Sequence, residues 1–524
     1  MNNTKKPFSF SLGMMIVCLM LVLAGCSTNA DSNTGKGTNA AGENNASAAN
    51  KTLTMAYTWN PAGVDPHGDD SWDVMRSGAG ETLIKLNEQL QPAAWLAKEW
   101  KQEDANTWTL KLENNVTFHD GKKMDAESVK ASLLRSIENS HLAKDLLLVK
   151  DIEVVAPDEL KIITTQPNSA IISSLADPST IILDVDSIKE AGSYPAMTGA
   201  FKIKQFTKDV SLVVERYDGY WGQPAKLKEV TMKFVTDGNT RLMALQAGEV
   251  DVATDIPIDS IELVEKDSKL EVLSAPSVRT HMVLFNMNSA LFKEKANREV
   301  VDQAIPREAI IESVMRGYGT KAKSPFPEIL PFGKVAEQAA GETTEQLLSA
   351  GGWQKNAAGM WEKEGKPFEA TLLTFPHRPE LSVMAEVIQN QLLNEGITVK
   401  IRKVENIDAE LAKSDWDLAM YSMLTAHTGD PQYFLNIFYQ SASESNVSHY
   451  VSKPLETVIN KLNETSATEA RNALAIEAQD IINEDLPQSF IVHPDNVFGV
   501  KKGVTGFIPH PIEYYYVTAE VDIT

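Results

Sequence analysis

The chain has 524 residues, with 71 acids against 49 basic residues, a formal charge of −22 and only two cysteines. A surface with that field disfavours nucleic acid as a partner. Two cysteines are too few for a disulfide framework, and a body of this length supports two or three compact lobes.

At the N-terminus, Lys5 and Lys6 precede an almost unbroken apolar run from Phe8 to Leu23, which ends in Leu23-Ala24-Gly25-Cys26. Residues 1–25 read as a signal peptide, because a transmembrane helix needs about 20 apolar residues and would not stop at small residues and a cysteine. LAGC resembles a bacterial lipobox, which implies cleavage before Cys26 and acylation of its thiol. Two or three acyl chains, at about 0.8 kcal/mol per buried methylene, hold a protein stably on a bilayer. The expected place is the extracytoplasmic face of the cell membrane, anchored by lipid without spanning. Cys18 leaves with the leader, so the mature chain has no thiolate pair for chemistry or metal. Residues 26–50, rich in Ser, Asn, Ala and Gly, form a flexible tether.

From residue 51 onward the pattern is mixed. TWTLKLENNVTF (107–118) and LKIITTQP (160–167) alternate as strands do; AESVKASLLRSIENS (126–140), LSVMAEVIQNQLLNEG (381–396) and ATEARNALAIEAQDIINED (467–485) repeat apolar residues at helical spacing. Asp125 and Ser382 are candidate helix N-caps and Gly396 a C-cap. His119 and Asp120 precede Gly121, so the pair reads as a turn before a capped helix rather than as catalytic groups. Tyr220 and Trp221 read as core aromatics closing a turn. The fold class is α/β, and no repeat of 20 to 50 residues marks a solenoid.

Seven segments in order resemble the family 5 extracellular solute-binding proteins of ABC importers, the peptide, nickel and metallophore group. They are VDPH (64–67), GETLIKL (80–86), WLAKEW (95–100), NTWTLKLENNVTFHDGKKMDAESVKASLLR (106–135), MTGAFKI (197–203), ERYDGYWGQPAKLKEVTMKFVTDGNTRLMALQAGEVDV (215–252) and REVVDQAIPREAII (298–311). Pro306 departs from the acid that the family usually carries there. The resemblance implies a two-lobed periplasmic-binding-protein-like fold of type II, in its large family 5 variant, with an extra subdomain in the first lobe and a cleft between lobes. The first lobe would span 51–285 with the subdomain at about 91–190, the second 286–490, and 491–524 would return to the first. The outward crossing is expected near 281–289 and the return near 490–500.

Catalysis finds no support: Gly-x-Ser-x-Gly, Ser-x-x-Lys and His-Glu-x-x-His are all absent. Of the nine histidines no two lie three or four apart, so no closed protein-only metal site is legible and no intrinsic cofactor is expected. The segments FPHRPEL (375–381), WDLAMYSMLTAHTGDPQYFLNIFYQ (416–440) and SNVSHY (445–450) are closest to the nickel and metallophore branch. That branch implies a ligand of Ni(II) or another divalent metal held by an organic chelator, with His427 completing the metal's coordination. LADPSTIILDV (175–185) carries no arginine where nickel-binding relatives have one.

A chelator with carboxylates calls for arginines, whose planar fork binds them bidentately; Arg76 and Arg378 are the candidates. Trp59, Trp72, Tyr421, Met423 and Tyr439 would wall the site, His377 sits beside Arg378, and Asn446 could donate to a carboxylate. The expected protein is a monomeric receptor serving an ABC permease and ATPase, with a short peptide as the alternative ligand.

Overall fold

The computed structural model describes residues 51–189, 192–335, 341–413 and 415–524. The leader, Cys26 and the tether lie outside these residues. Among the described residues no helix is long and apolar enough to cross a membrane.

A mixed sheet of twelve strands organises the body. Its strands are β1 (Thr52–Tyr57), β2 (Phe201–Thr207), β3 (Ser211–Arg216), β4 (Glu229–Phe234), β5 (Val252–Thr254) and β6 (Leu270–Pro276), followed by β7 (Arg279–Phe285), β8 (Gly319–Lys321), β9 (Glu369–Thr374), β10 (Thr398–Lys403), β11 (Leu418–Leu424) and β12 (Gln488–Lys501). Hydrogen bonding follows the order β10-β9-β11-β7-β12-β5-β1-β4-β3-β2, with β6 and β8 also paired to β12. In β1 the alternating Leu53, Met55 and Tyr57 fill the main core while Ala56 faces a second cluster with Leu242, Leu245 and Ile261. Burial on both faces is what a central strand flanked by parallel partners requires.

Two strands carry the chain between the halves of this sheet. β6 pairs with residues 495–501 of β12 and β7 with residues 488–492, so the outward passage falls at Pro276–Arg279, just before the segment expected for it. The 14-residue β12 serves both halves. A separate antiparallel sheet, Ala97–Asp104, Thr107–Leu112, Glu159–Thr164 and Val149–Ala156 in that order of pairing, accounts for the expected insertion.

The helices that matter for the site are α1 (Ser71–Arg76), α2 (Ala126–Asn139), α3 (Gly238–Ala247), α4 (Pro379–Asn394) and α5 (Gln432–Tyr439). Asp125 caps α2 in a full capping box with Ser128. The strand expected over 107–118 ends at Leu112, where Asn114-Asn115 break the alternation. His119 is a structural residue: Met197 N–H donates to its Nδ1 (3.3 Å) and its Nε2 donates to Gly199 O (3.0 Å).

Ser382 is not an N-cap. α4 begins at Pro379, whose fixed φ suits the first helical position, so Arg378 holds the cap and Ser382 lies one turn inside. Gly396 ends α4 at φ +89°, with its N–H on Leu393 O and that of Ile397 on Leu392 O, the paired bonds of a Schellman motif.

Candidate ligand-binding site

Arg76 ends α1 and is 3% exposed. Its Nε donates to Glu513 O (2.7 Å), Nη1 to the Tyr57 hydroxyl (2.9 Å) and Nη2 to Glu513 Oε2 (3.4 Å). The guanidinium carbon lies 5.4 Å from the Trp72 and Tyr516 ring centres, 5.7 Å from Trp59 and 6.0 Å from Tyr57. A cation among four aromatic faces keeps its charge at low desolvation cost. The Tyr57 hydroxyl in turn donates to Asp73, which is 3.6 Å from Arg76 Nη1.

Glu513 joins Arg76 to Arg279, the first residue of β7. Arg279 grips it bidentately, Nε to Oε1 at 3.0 Å and Nη2 to Oε2 at 3.2 Å, and places Nη1 3.3 Å from Ser422 Oγ on β11. Burial would raise the Glu513 carboxyl, but Arg279, Arg378 and Arg76 together bring it down to about 2. The ion ladder Arg76–Glu513–Arg279 therefore ties α1 and the C-terminal segment to the strand that opens the second half of the sheet.

Arg378 contributes a third cation with its fork unspent. Its side chain makes no hydrogen bond among the described residues, and its one ion pair, Nη1 to Glu380 Oε1, is 3.9 Å long. Through Glu380 it lies close to Arg279: Glu380 Oε1 is 3.3 Å from His281 Nε2, and Ser422 Oγ is 3.0 Å from His281 Nδ1 and 3.3 Å from Arg279 Nη1. Trp59 Nε1, on the ring beside Arg76, is buried with no hydrogen-bond acceptor among the described residues.

His427 stands one ring away. It stacks on Trp72 (6.4 Å, 30°), meets Tyr433 edge-on (4.8 Å), and holds Nε2 3.4 Å from Asp177 Oδ2, without hydrogen-bond geometry. Burial lowers its pKa while Asp177 opposes that shift, so the ring is favoured neutral, the state that ligates metal. Among the described residues no group of three His, Cys, Asp or Glu comes close enough to hold a metal ion.

Other residues expected at the site lie apart from this cluster. Tyr439 packs in the core of α5 against Phe434 and Tyr450 and is 1% exposed. Asn446 spends both ends of its amide on the Tyr450 backbone, donating to O (2.7 Å) and accepting from N (3.2 Å), which closes a turn. Tyr421 donates to Asp408 (3.0 Å), Met423 is half-buried on β11, and His377 is exposed. The structure brings Arg76, Trp59 and Trp72 together with Glu513, Arg279 and Tyr516, three residues that the sequence did not single out. The available signal was a lone charge inside an apolar run: Arg279 in SVRTHMVLF and Glu513 in PIEYYYV.

Residues 91–446 match the bacterial extracellular solute-binding proteins, family 5 (middle). The chain belongs to this family. Family 5 proteins bind solutes for transport and are not enzymes, so this family 5 protein is the solute-binding component of an ABC importer. NikA, the nickel-binding protein of Staphylococcus aureus, is 29% identical over 474 residues, covering 90% of this chain and 94% of its own. Its crystal structure with Ni(L-His)2 matches at a TM-score of 0.79 and 27% identity over 90% of this chain and 100% of that one. The nickel ABC transporter structure from Bacillus halodurans matches at 0.76 and 32%, over 90% and 100%. The oligopeptide-binding protein AppA of Bacillus subtilis, in complex with a nonapeptide, shares the fold at 0.75 and 23%, over 91% and 99%.

Proposed function

We propose that this binding protein is a lipid-anchored receptor that captures a divalent metal, nickel foremost, as an amino-acid chelate between two lobes and delivers it to its permease. The observation that carries this reading is the open fork of Arg378 near a ladder whose other two arginines are already engaged by Glu513. A ligand carboxylate fits that fork bidentately in a recess with little competing water. Trp59 Nε1 supplies a second donor, and the rings of Trp72 and Tyr516 supply apolar walls. His427, neutral and next to Trp72, can complete the metal's coordination once it turns from Asp177. The nickel-binding relatives, matched along nearly their whole length, favour the same ligand class.

Closure is a shift between an open form and a form in which both halves of the sheet contact ligand, and the permease reads the closed form. Calorimetric titration with nickel alone, nickel with L-histidine, and di- to pentapeptides tests the ligand. The expected result is heat from the nickel–histidine complex and none from nickel alone; tight peptide binding without response to chelated metal overturns it in favour of a peptide receptor.

A further inference from the structure

The two halves of the sheet are joined by main chain at the link 276–279 and at the middle of β12. Two crossings leave the halves free to turn about the line between them, and a third attachment resists that turn. The loop 425–432 makes such an attachment. It starts at the link itself, where Thr425 donates its N–H (3.0 Å) and its hydroxyl (3.2 Å) to Val278 O. From there it crosses to the first half. Tyr514, on the C-terminal segment whose Val517 N–H bonds Arg76 O, donates its hydroxyl to His427 O (2.9 Å). Gly429, at φ +71°, lies so close to Leu90 that a Cβ would stand 2.1 Å from its carbonyl oxygen. Gln432, at the start of α5, donates Nε2 to Asn168 Oδ1 (3.1 Å), and both side chains are buried.

Each end of that last bond is braced on its own side. Asn168 donates Nδ2 to Leu146 O (2.9 Å) and Leu147 O (3.3 Å) in the first half. The Gln432 N–H bonds Asp430 (2.8 Å), whose carboxylate Arg471 holds through Nη2 at 2.7 and 2.8 Å from the helix Thr468–Asp485. Parting the halves therefore breaks the Gln432–Asn168 bond before it disturbs either brace.

We propose that the loop 425–432 is a strap that holds the halves closed without ligand, so that the binding-competent form is populated beforehand. None of its contacts uses Arg378 or Trp59. His427 Nε2 meets Asp177 only at 3.4 Å and without hydrogen-bond geometry, so the ring is free to leave for a ligand while its main chain stays tied to Tyr514. Apparent affinity is the intrinsic affinity scaled by the competent fraction, so loosening the strap weakens binding without touching a ligand-binding group. That consequence rests on the receptor reading above; the closed bias does not.

Small-angle scattering of the ligand-free mature protein tests the strap. Gln432→Ala combined with Tyr514→Phe removes two of the crossing hydrogen bonds and leaves Asn168 its bonds to Leu146 and Leu147. Gly429→Ala instead wedges the loop away from Leu90 by bulk. Both variants should show a larger radius of gyration than wild type. Preformed nickel–L-histidine complex should return them to the wild-type radius, with a calorimetric affinity at least threefold weaker. Circular dichroism checks the fold, and where one variant fails to fold the other decides. Variants that scatter as wild type does overturn the strap. A larger radius with unchanged affinity overturns its effect on binding. If the complex does not bind wild type, the metal reading falls and the scattering comparison alone decides the strap.

Discussion

Arg76 and Arg378 carry the same charge in the same recess, yet the structure predicts opposite consequences of losing them. Arg76 is spent: its three donors, four rings and two carboxylates make it part of the fold. Truncating it would leave Glu513 and Asp73 short of a counter-charge in a buried place, a loss of about 3 kcal/mol or more. Arg378 holds only a 3.9 Å pair with Glu380. Arg378→Ala should therefore weaken ligand binding at least tenfold, about 1.4 kcal/mol, while the unfolding free energy from urea titration stays within about 0.5 kcal/mol of wild type. An unchanged affinity, read by the same titration, removes Arg378 from the site. Arg76 and Arg378 were singled out as lone arginines in segments that read as loops, although Arg76 ends α1 and Arg378 caps α4. Glu513 was not, because its partner Arg279 is 234 residues away and local pattern carries no record of such a pairing.

At the scale of elements, the GETL turn is built around a buried acid. Glu81 accepts from the Tyr220 hydroxyl (2.7 Å), Trp221 Nε1 (2.9 Å) and Thr198 Oγ1 (2.8 Å), so the aromatics read from sequence as a turn closure are in fact clamping a carboxyl. Burial outweighs those bonds and pushes Glu81 up to about 7, above its ordinary 4.5. Between pH 4.5 and 7 the unfolded chain releases this proton and the folded chain keeps it, so stability falls as pH rises through that window, by about 3 kcal/mol. Glu81→Gln should flatten that slope in urea titrations at pH 5 and pH 7: its amide oxygen can take Trp221 and Thr198, and the Tyr220 hydroxyl can turn to accept from its nitrogen. Capping shows where sequence suffices: Asp125 met Ser128 three residues on, a wholly local arrangement. Ser382 misled because Pro379 three residues earlier already offers a better first turn.

Across the whole molecule, a chain of formal charge −22 sets three arginines, Arg76, Arg279 and Arg378, against Glu513, Asp73 and Glu380, so this cluster is near charge balance while the chain as a whole is strongly negative. The two-half organisation was legible because the seven family-like segments span both halves. The passage between halves was harder to place, since it lies in the short link from Pro276 to Arg279 that has no marked composition of its own. Cys26→Ala should move the protein from the membrane fraction to the soluble fraction of cells without altering its ligand titration; retention at the membrane would overturn the lipid anchor.

The long strand β12 also bears on the order of events in folding. Its residues 488–492 complete one half of the sheet through β7 and 495–501 complete the other through β5 and β6, so neither half can close before the last tenth of the chain exists. Such distant pairing delays productive collapse during synthesis, because its loop-closure entropy is paid before any contact rewards it. A nascent chain thus stays open until β12 is made, and it remains threadable through a narrow channel for as long as it is being translated.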